Sequence, residues 1–194
     1  MPTSGLAEAL VPTGMRATTG GFTPAAVSRP PILVLGLGNL LLRDDGLGLA
    51  LLAEMSKNAV LWGDQVAFVD GGTQGLMLLE EVGGRPAVLI LDAVDRGAAP
   101  GTVHALRDRA VTECRVSRST TAHEGNAGEL LAAAALVGES PQEVAVVGVQ
   151  PAQVATGIGL SETVQKSVRP ALLQAQSILS EMIARYAYVS SSPG

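Results

Sequence analysis

The chain has 194 residues, 47% of them hydrophobic and 16% charged. It is long enough for one domain with a sizeable core, and this composition excludes wholesale disorder. A net charge of −5 and an aromatic content of 3% argue against wrapping phosphate backbones or stacking bases, so no nucleic-acid partner is expected. Cys114 is the only cysteine. It excludes an intrachain disulfide and a cysteine zinc cage, and it suits a reducing, cytoplasmic setting. The longest apolar run, Ile32 to Leu42 with Asn39 inside it, falls well short of the roughly 20 residues of a membrane span. No membrane partner is expected.

Residues 1–30 are rich in Thr, Gly, Pro and Ala without a sustained period, and the first basic residue is Arg16. They read as a disordered N-terminal extension, not a secretory signal. The regular pattern starts at Pro31 and defines a single α/β domain over residues 31–186, with residues 187–194 as a frayed tail. Ile32-Leu33-Val34-Leu35, ending in Gly36, is apolar on both faces, as a central strand covered on both sides requires. A helix is predicted from Asp45 to about Ser56, with Leu47, Leu51, Leu52 and Met55 at helical spacing. A strand follows at Val66 to Val69, ending at Asp70-Gly71-Gly72, then a helix from Gln74 to Val82. Ala87 to Leu91 is a third strand, ending at Asp92, and Thr102 to Leu106 a fourth. A helix over Glu124 to Val137 is closed by Gly138. Glu143 to Val149 is the last strand, and Ser161 to about Arg185 the last helix, with Ser161 as N-cap and Pro170 expected to bend or divide it. Alternating strands and helices predict a three-layer α/β sandwich: a mostly parallel, twisted sheet with helices on both faces, of the phosphorylase/hydrolase-like kind.

In such a sheet the functional crevice lies beyond the carboxyl ends of the strands. Past the first strand stand Gly36, Gly38, Asn39, Asp44 and Asp45. Past the second stand Asp70, Gly71, Gly72 and Thr73, and past the third Asp92 and Asp95. His123 precedes a helix in Thr121-Ala122-His123-Glu124. Gly36-Leu37-Gly38 invites a dinucleotide reading, but Leu41 occupies the place of the third small residue and two carboxylates would face the pyrophosphate. Of Asp44 and Asp45, one serves as a helix cap and the other can point into the crevice. Asp70 suits a turn as well as a site. Asp92 directly follows an apolar strand, and a carboxylate there needs a hydrogen-bond partner, a cation or a metal. His104 alternates on a strand and reads as a surface residue. Two carboxylates and the His123 imidazole on strand-end loops make an open site suited to a borderline metal such as Ni²⁺ or Zn²⁺. Cys114, between Glu113 and Arg115, has no identifiable neighbour to lower its pKa. Neither Gly-x-Ser-x-Gly nor His-Glu-x-x-His occurs, which removes the serine-hydrolase elbow and the ordinary zincin.

The run from Ile32 to Gly48, with its Gly36-Leu37-Gly38-Asn39 and Arg43-Asp44-Asp45-Gly46-Leu47-Gly48 segments, resembles the opening of the hydrogenase maturation proteases. The resemblance continues through Asp70-Gly71-Gly72-Thr73, Leu91-Asp92-Ala93-Val94-Asp95, Pro100-Gly101-Thr102, the His123 segment, Val147-Gly148-Val149-Gln150-Pro151 and Gly159-Leu160-Ser161. It spans nearly all of the chain from Pro31 to about Arg185. It implies an endopeptidase, often classed as aspartic-type, that removes the C-terminal extension of the [NiFe] hydrogenase large-subunit precursor after nickel insertion. Its metal-contacting and catalytic positions fall on Asp45, Asp92 and His123. The nickel is carried by the precursor, and Asp70, Gly71 and Gly72 shape the substrate groove. A monomer acting in the cytoplasm is implied. The rival reading is a binding module that grips a metallated precursor without cutting it.

Overall fold

A computed structural model describes residues 29–108, 110–111 and 127–186; the expected extension up to Ser28 and the expected tail lie outside them. Among the described residues, five strands form one sheet in the order β2-β1-β3-β5-β4. They are β1 (Ile32–Leu37), β2 (Val66–Gly72), β3 (Ala87–Ala93), β4 (Val103–Arg107) and β5 (Glu143–Val149). β1 runs parallel to both β2 and β3, and β3 parallel to β5, while β4 pairs antiparallel with β5 at the edge. Continuous burial along β1 and over the first five residues of β3 accounts for their apolar runs, because side chains on both faces enter a core.

The two faces are covered by different helices. On one face α1 (Leu47–Ser56) and α4 (Glu162–Tyr186) pack Leu47, Leu51, Met55, Ala175, Ile178 and Leu179 against Ile32, Val34, Leu89 and Val147. On the other face the short α2 (Leu79–Val82) and α3 (Ala127–Leu136) pack Val82, Leu130 and Leu131 against Leu33, Leu35, Val88 and Ile90. This is the predicted three-layer sandwich. The strand spans agree with those read from the sequence to within three residues at either end. The helical starts differ more. A 3-10 turn, Arg43–Gly46, precedes α1, and another, Gly75–Leu78, precedes α2, so each predicted helix is a tight turn followed by a shorter α-helix. Pro170 neither ends nor divides the last helix, which runs for 25 residues. Pro170 is exposed, while Val164 before it and Ala171, Ala175 and Ile178 after it are buried. The apolar stripe anchors both halves and outweighs the lost hydrogen bond. His104 is half-buried, with Nε2 enclosed and unpartnered, and desolvation lowers its pKa; it is not the surface residue that alternation suggested.

The chain enters the sheet through a fixed gate. Arg29 donates to the carbonyls of Glu80 and Glu81 at 2.8 and 3.1 Å. The buried Arg85 donates to the Pro30 carbonyl and, at 3.0 Å, to the Glu81 carboxylate. Arg29 and Pro30, counted with the extension in the sequence, are therefore tied to the domain.

Successive connections leave β1 in opposite directions, first to β2 and then back across to β3. Such a switch point opens a crevice at the carboxyl ends. Gly48, in the first turn of α1, closes its floor. A Cβ there would stand 2.2 Å from the carbonyl oxygens of both Leu37 and Leu91, so only glycine lets the helix start rest across the ends of β1 and β3. Gly48→Ala is expected to cost at least about 3 kcal/mol by forcing α1 off the sheet, read as a lower melting temperature in thermal denaturation.

Candidate active site

The turn after β1 is built by its own polar groups. Asn39 Oδ1 accepts from Leu41 N at 2.9 Å, and Asn39 N donates to Asp45 Oδ2 at 2.9 Å. Gly38 N donates to Gly72 O at 3.0 Å, and a Cβ at Gly38, whose φ is +122°, would stand 1.9 Å from Asp45 O. Gly38 thus admits the chain's own Asp45 turn against the strand end, while Gly36 admits α1, where a Cβ would stand 2.9 Å from Leu52 Cβ and 3.0 Å from Gly48 O. The amides at Gly38 and Asn39, which a dinucleotide phosphate would need, are already engaged, and this overturns the nucleotide reading.

The two adjacent aspartates do different work. Asp44 is fully buried. Its carboxylate accepts from Ala152 N at 2.9 Å, Gln153 N at 2.8 Å, Ser161 N at 2.6 Å and Ser161 Oγ at 2.8 Å. Ser161 Oγ in turn accepts from Val164 N at 3.4 Å, as a cap of α4. No side chain caps either the 3-10 turn or α1, so the expectation that one aspartate caps its own helix is corrected. Asp44 instead clamps a distant loop and the start of the last helix to the turn that carries Asp45. Sequence reasoning missed this because its partners stand more than a hundred residues away. Replacing Asp44 with Asn should lower stability by about 3 kcal/mol, since an amide offers two donors to a site that needs only acceptors. For a domain of this size the melting temperature should fall by about 10 °C.

Asp45 is half-buried and turns toward the crevice. Asp92 ends β3 on the other side of the switch point, and its Oδ1 accepts from Ala93 N at 2.7 Å. Burial pushes the Asp92 carboxyl up to about 7, against the Ala93 hydrogen bond, and the negative charge of Asp45 adds to the rise. The two carboxylates therefore lie within electrostatic reach across the crevice. Two such groups, one desolvated, favour a shared proton or a cation between them.

Of the residues expected at the site, Asp45 and Asp92 are near enough for the charge of one to act on the other. Asp70 is exposed at the end of β2, with Gly36 paired to it on one side and to Leu91 on the other. It stands two strand spacings from Asp92, roughly 10 Å, so it lies on the rim and not between the two carboxylates. Gly71 is buried and Gly72 holds Gly38 N, making this strip one wall of the crevice. His123, the imidazole of the expected triad, and Cys114 lie outside the described residues. Among the described residues no three His, Cys, Asp or Glu side chains cluster to hold a metal.

Gln150, a further residue without an assigned role in the sequence, organises the loop after Asp92. Its buried amide oxygen accepts from Arg96 N at 2.8 Å and Ala98 N at 3.2 Å, and its Nε2 donates to Asp95 Oδ1 at 2.9 Å. That bond, with one from Gly97 N, holds the Asp95 carboxyl below the usual carboxylate range. Asp95 is a loop brace, not a member of the carboxylate pair. A polar residue ending the apolar strand β5 was its only signal in the sequence.

The Asp92 shift has a consequence for stability. The folded chain keeps this proton up to about pH 7, while an ordinary aspartate releases it near 3.8. Between those values the folded state binds more protons than the unfolded one, so this contribution to stability declines as the pH rises through the window. Asp92→Asn should therefore raise stability at pH 8 by about 1–2 kcal/mol and lose that advantage near pH 4. Melting temperatures of both proteins across that range test it.

The model of the family described as hydrogenase maturation protease matches residues 50–178. The chain is 39% identical over 155 residues to the hydrogenase expression/formation protein HupM of Azotobacter chroococcum mcd 1, covering 79% of this chain and 74% of that one. It is 36% identical over 151 residues to the hydrogenase 2 maturation protease of Escherichia coli K12, covering 77% of this chain and 91% of that one. The solved hydrogenase maturating endopeptidase HybD of E. coli superposes with a TM-score of 0.69 at 35% identity, over 77% of this chain and 92% of that chain.

Proposed function

The chain belongs to the hydrogenase maturation protease family, and from that premise we propose that it removes the C-terminal extension of a [NiFe] hydrogenase large-subunit precursor once nickel is in place. The observation that supports this reading is the Asp92 carboxyl beyond the end of the sheet, raised by burial to about 7 and acted on by the charge of Asp45. The nickel is part of the substrate. A half-buried carboxylate pair, with His123 as the nitrogen donor, is an oxygen-rich set with room for an ion that the precursor already holds in part. Gripping that ion from the enzyme side would position the scissile bond only in a loaded precursor, which couples cutting to metal insertion.

Peptide hydrolysis needs a base for the attacking water and a proton for the departing amine. Asp92, with a carboxyl near 7, suits both tasks at neutral pH. It would take the proton as water adds to the scissile carbonyl and return it to the amine as the C–N bond breaks. Asp45, which accepts from Asn39 N, would face the ion. This assignment makes the enzyme aspartic in type. Exposed Leu40 and Leu41 after β1, Leu76 and Met77 after β2, and Ile158 after β5 surround the carboxyl end of the sheet. An apolar rim of this kind suits a folded protein substrate better than a small solute. Among the described residues no helix is long and apolar enough to cross a membrane.

The test is a mass spectrum of a large-subunit precursor incubated with the chain, with and without nickel loading. A single C-terminal cut confined to the loaded sample is expected. Asp45→Asn and Asp92→Asn should each lower the rate at least about 100-fold, and His123→Ala should abolish the nickel dependence. A loaded precursor that binds but stays whole would favour the non-cutting module instead.

A further inference from the structure

Arg43 opens the turn that carries Asp45, and its backbone is strained. Its φ is +52°, in the left-handed region that a side chain like arginine rarely adopts. The conformation is held from both sides: Arg43 N donates to Gly157 O at 3.0 Å, and Gly157 N donates to Leu41 O at 2.9 Å. The Arg43 side chain lies across Gly157, where a Cβ would stand 2.9 Å from Nε and 3.3 Å from Cζ. The guanidinium is therefore seated in one place, half-buried, between the Asp45 turn and the loop after β5.

What it lacks is an acceptor. Arg29, Arg85, Arg107 and Arg185 each hold a carboxylate, while Arg96 and Arg169 hold none but are exposed to solvent. Arg43 holds none among the described residues, although Asp44 and Asp45 adjoin it in the chain. The Asp44 carboxylate is saturated by four donors from other segments, and Asp45 is turned to Asn39 N. A planar cation with several N–H donors, seated at the lip of a crevice and left without an oxygen partner, is arranged for an acceptor that arrives from outside. Glycine would meet the same φ without strain, so the backbone gains nothing from an arginine here. Strain retained at such a position is a mark of function.

We propose that Arg43 is a substrate-positioning residue that binds an oxygen acceptor of the incoming polypeptide, a main-chain carbonyl or an acidic side chain, and so sets the chain against the carboxylate pair. The inference rests on the proposed endopeptidase reading and adds to it a residue that grips the peptide and not the metal. Both oxygen sources use the same guanidinium chemistry and differ in salt dependence: an acidic side chain gives a KM that rises with ionic strength, while a carbonyl gives a nearly salt-independent one.

The decisive variant is Arg43→Gly, which removes the guanidinium and relieves φ together. With nickel-loaded large-subunit precursor, KM is expected to rise about 10- to 100-fold, as for the loss of a charge-assisted hydrogen bond, with kcat within about threefold and the melting temperature equal or higher. Arg43→Lys should recover part of KM if charge dominates and little if the fork dominates. An unchanged KM overturns the proposal. So does a marked fall in melting temperature for Arg43→Gly, because the side chain would then be a structural brace on Gly157. Failure of the unaltered chain to cut would count against the endopeptidase reading alone. In that case the affinities of the unaltered chain and of Arg43→Gly for uncut precursor, measured by isothermal titration, decide the role of Arg43: equal affinities overturn it.

Discussion

The buried carboxylate of Asp44 is the point on which the rest of the site depends. A charged group with no exposure is tolerable only when its lone pairs are filled, and Asp44 is filled by donors from Ala152, Gln153 and Ser161. Through those bonds the turn after β1, the loop after β5 and the cap of α4 become one body. Asp45 is the next residue, so its direction follows from where Asp44 is anchored. The long helix α4, which covers one face of the sheet, is fixed at its start by the same carboxylate.

Two close approaches complete the arrangement. Gly48 lets α1 rest against the carbonyls of both Leu37 and Leu91, and Gly38 lets the Asp45 turn fold back on the strand end. Together they draw the loops after β1 and β3 around the reversal in strand order, and Asp45 and Asp92 meet there. The electrostatic outcome is asymmetric: one carboxylate receives an amide hydrogen bond from Asn39, and the other is desolvated and carried toward neutrality. A pair whose environments differ in this way can divide the tasks of holding a cation and moving a proton. The loop that follows Asp92 is kept in place separately, by the buried amide of Gln150.

Much of this is legible in the sequence because it depends on local rules. The double-sided apolar runs of β1 and β3 fit only central strands. Crevices form beyond strand ends, and that rule gathers Asp44, Asp45, Asp70, Asp92 and Asp95 as candidates from their positions in the chain, while the family resemblance points to Asp45 and Asp92 among them. The ordered series of short motifs points to the family. The departures are also physical. A 3-10 turn and an α-helix share nearly the same spacing over a single turn, so the tight turns before α1 and α2 read as helix. Pro170 favours a divided helix locally, and tertiary burial keeps it whole. His104 alternates like a surface residue, yet its Nε2 is enclosed.

The sequence by itself determined the class of fold, the strands and the family, since each follows from periodicity or motif order within short stretches of chain. Only the tertiary structure decided which of two adjacent aspartates is a clamp, which glycines are required by close approach, and which carboxylate is desolvated. It alone showed a seated arginine without an acceptor among the described residues. These properties arise from contacts between residues up to 117 positions apart, as between Asp44 and Ser161, and no local pattern encodes what will lie beside a residue once the chain has closed on itself.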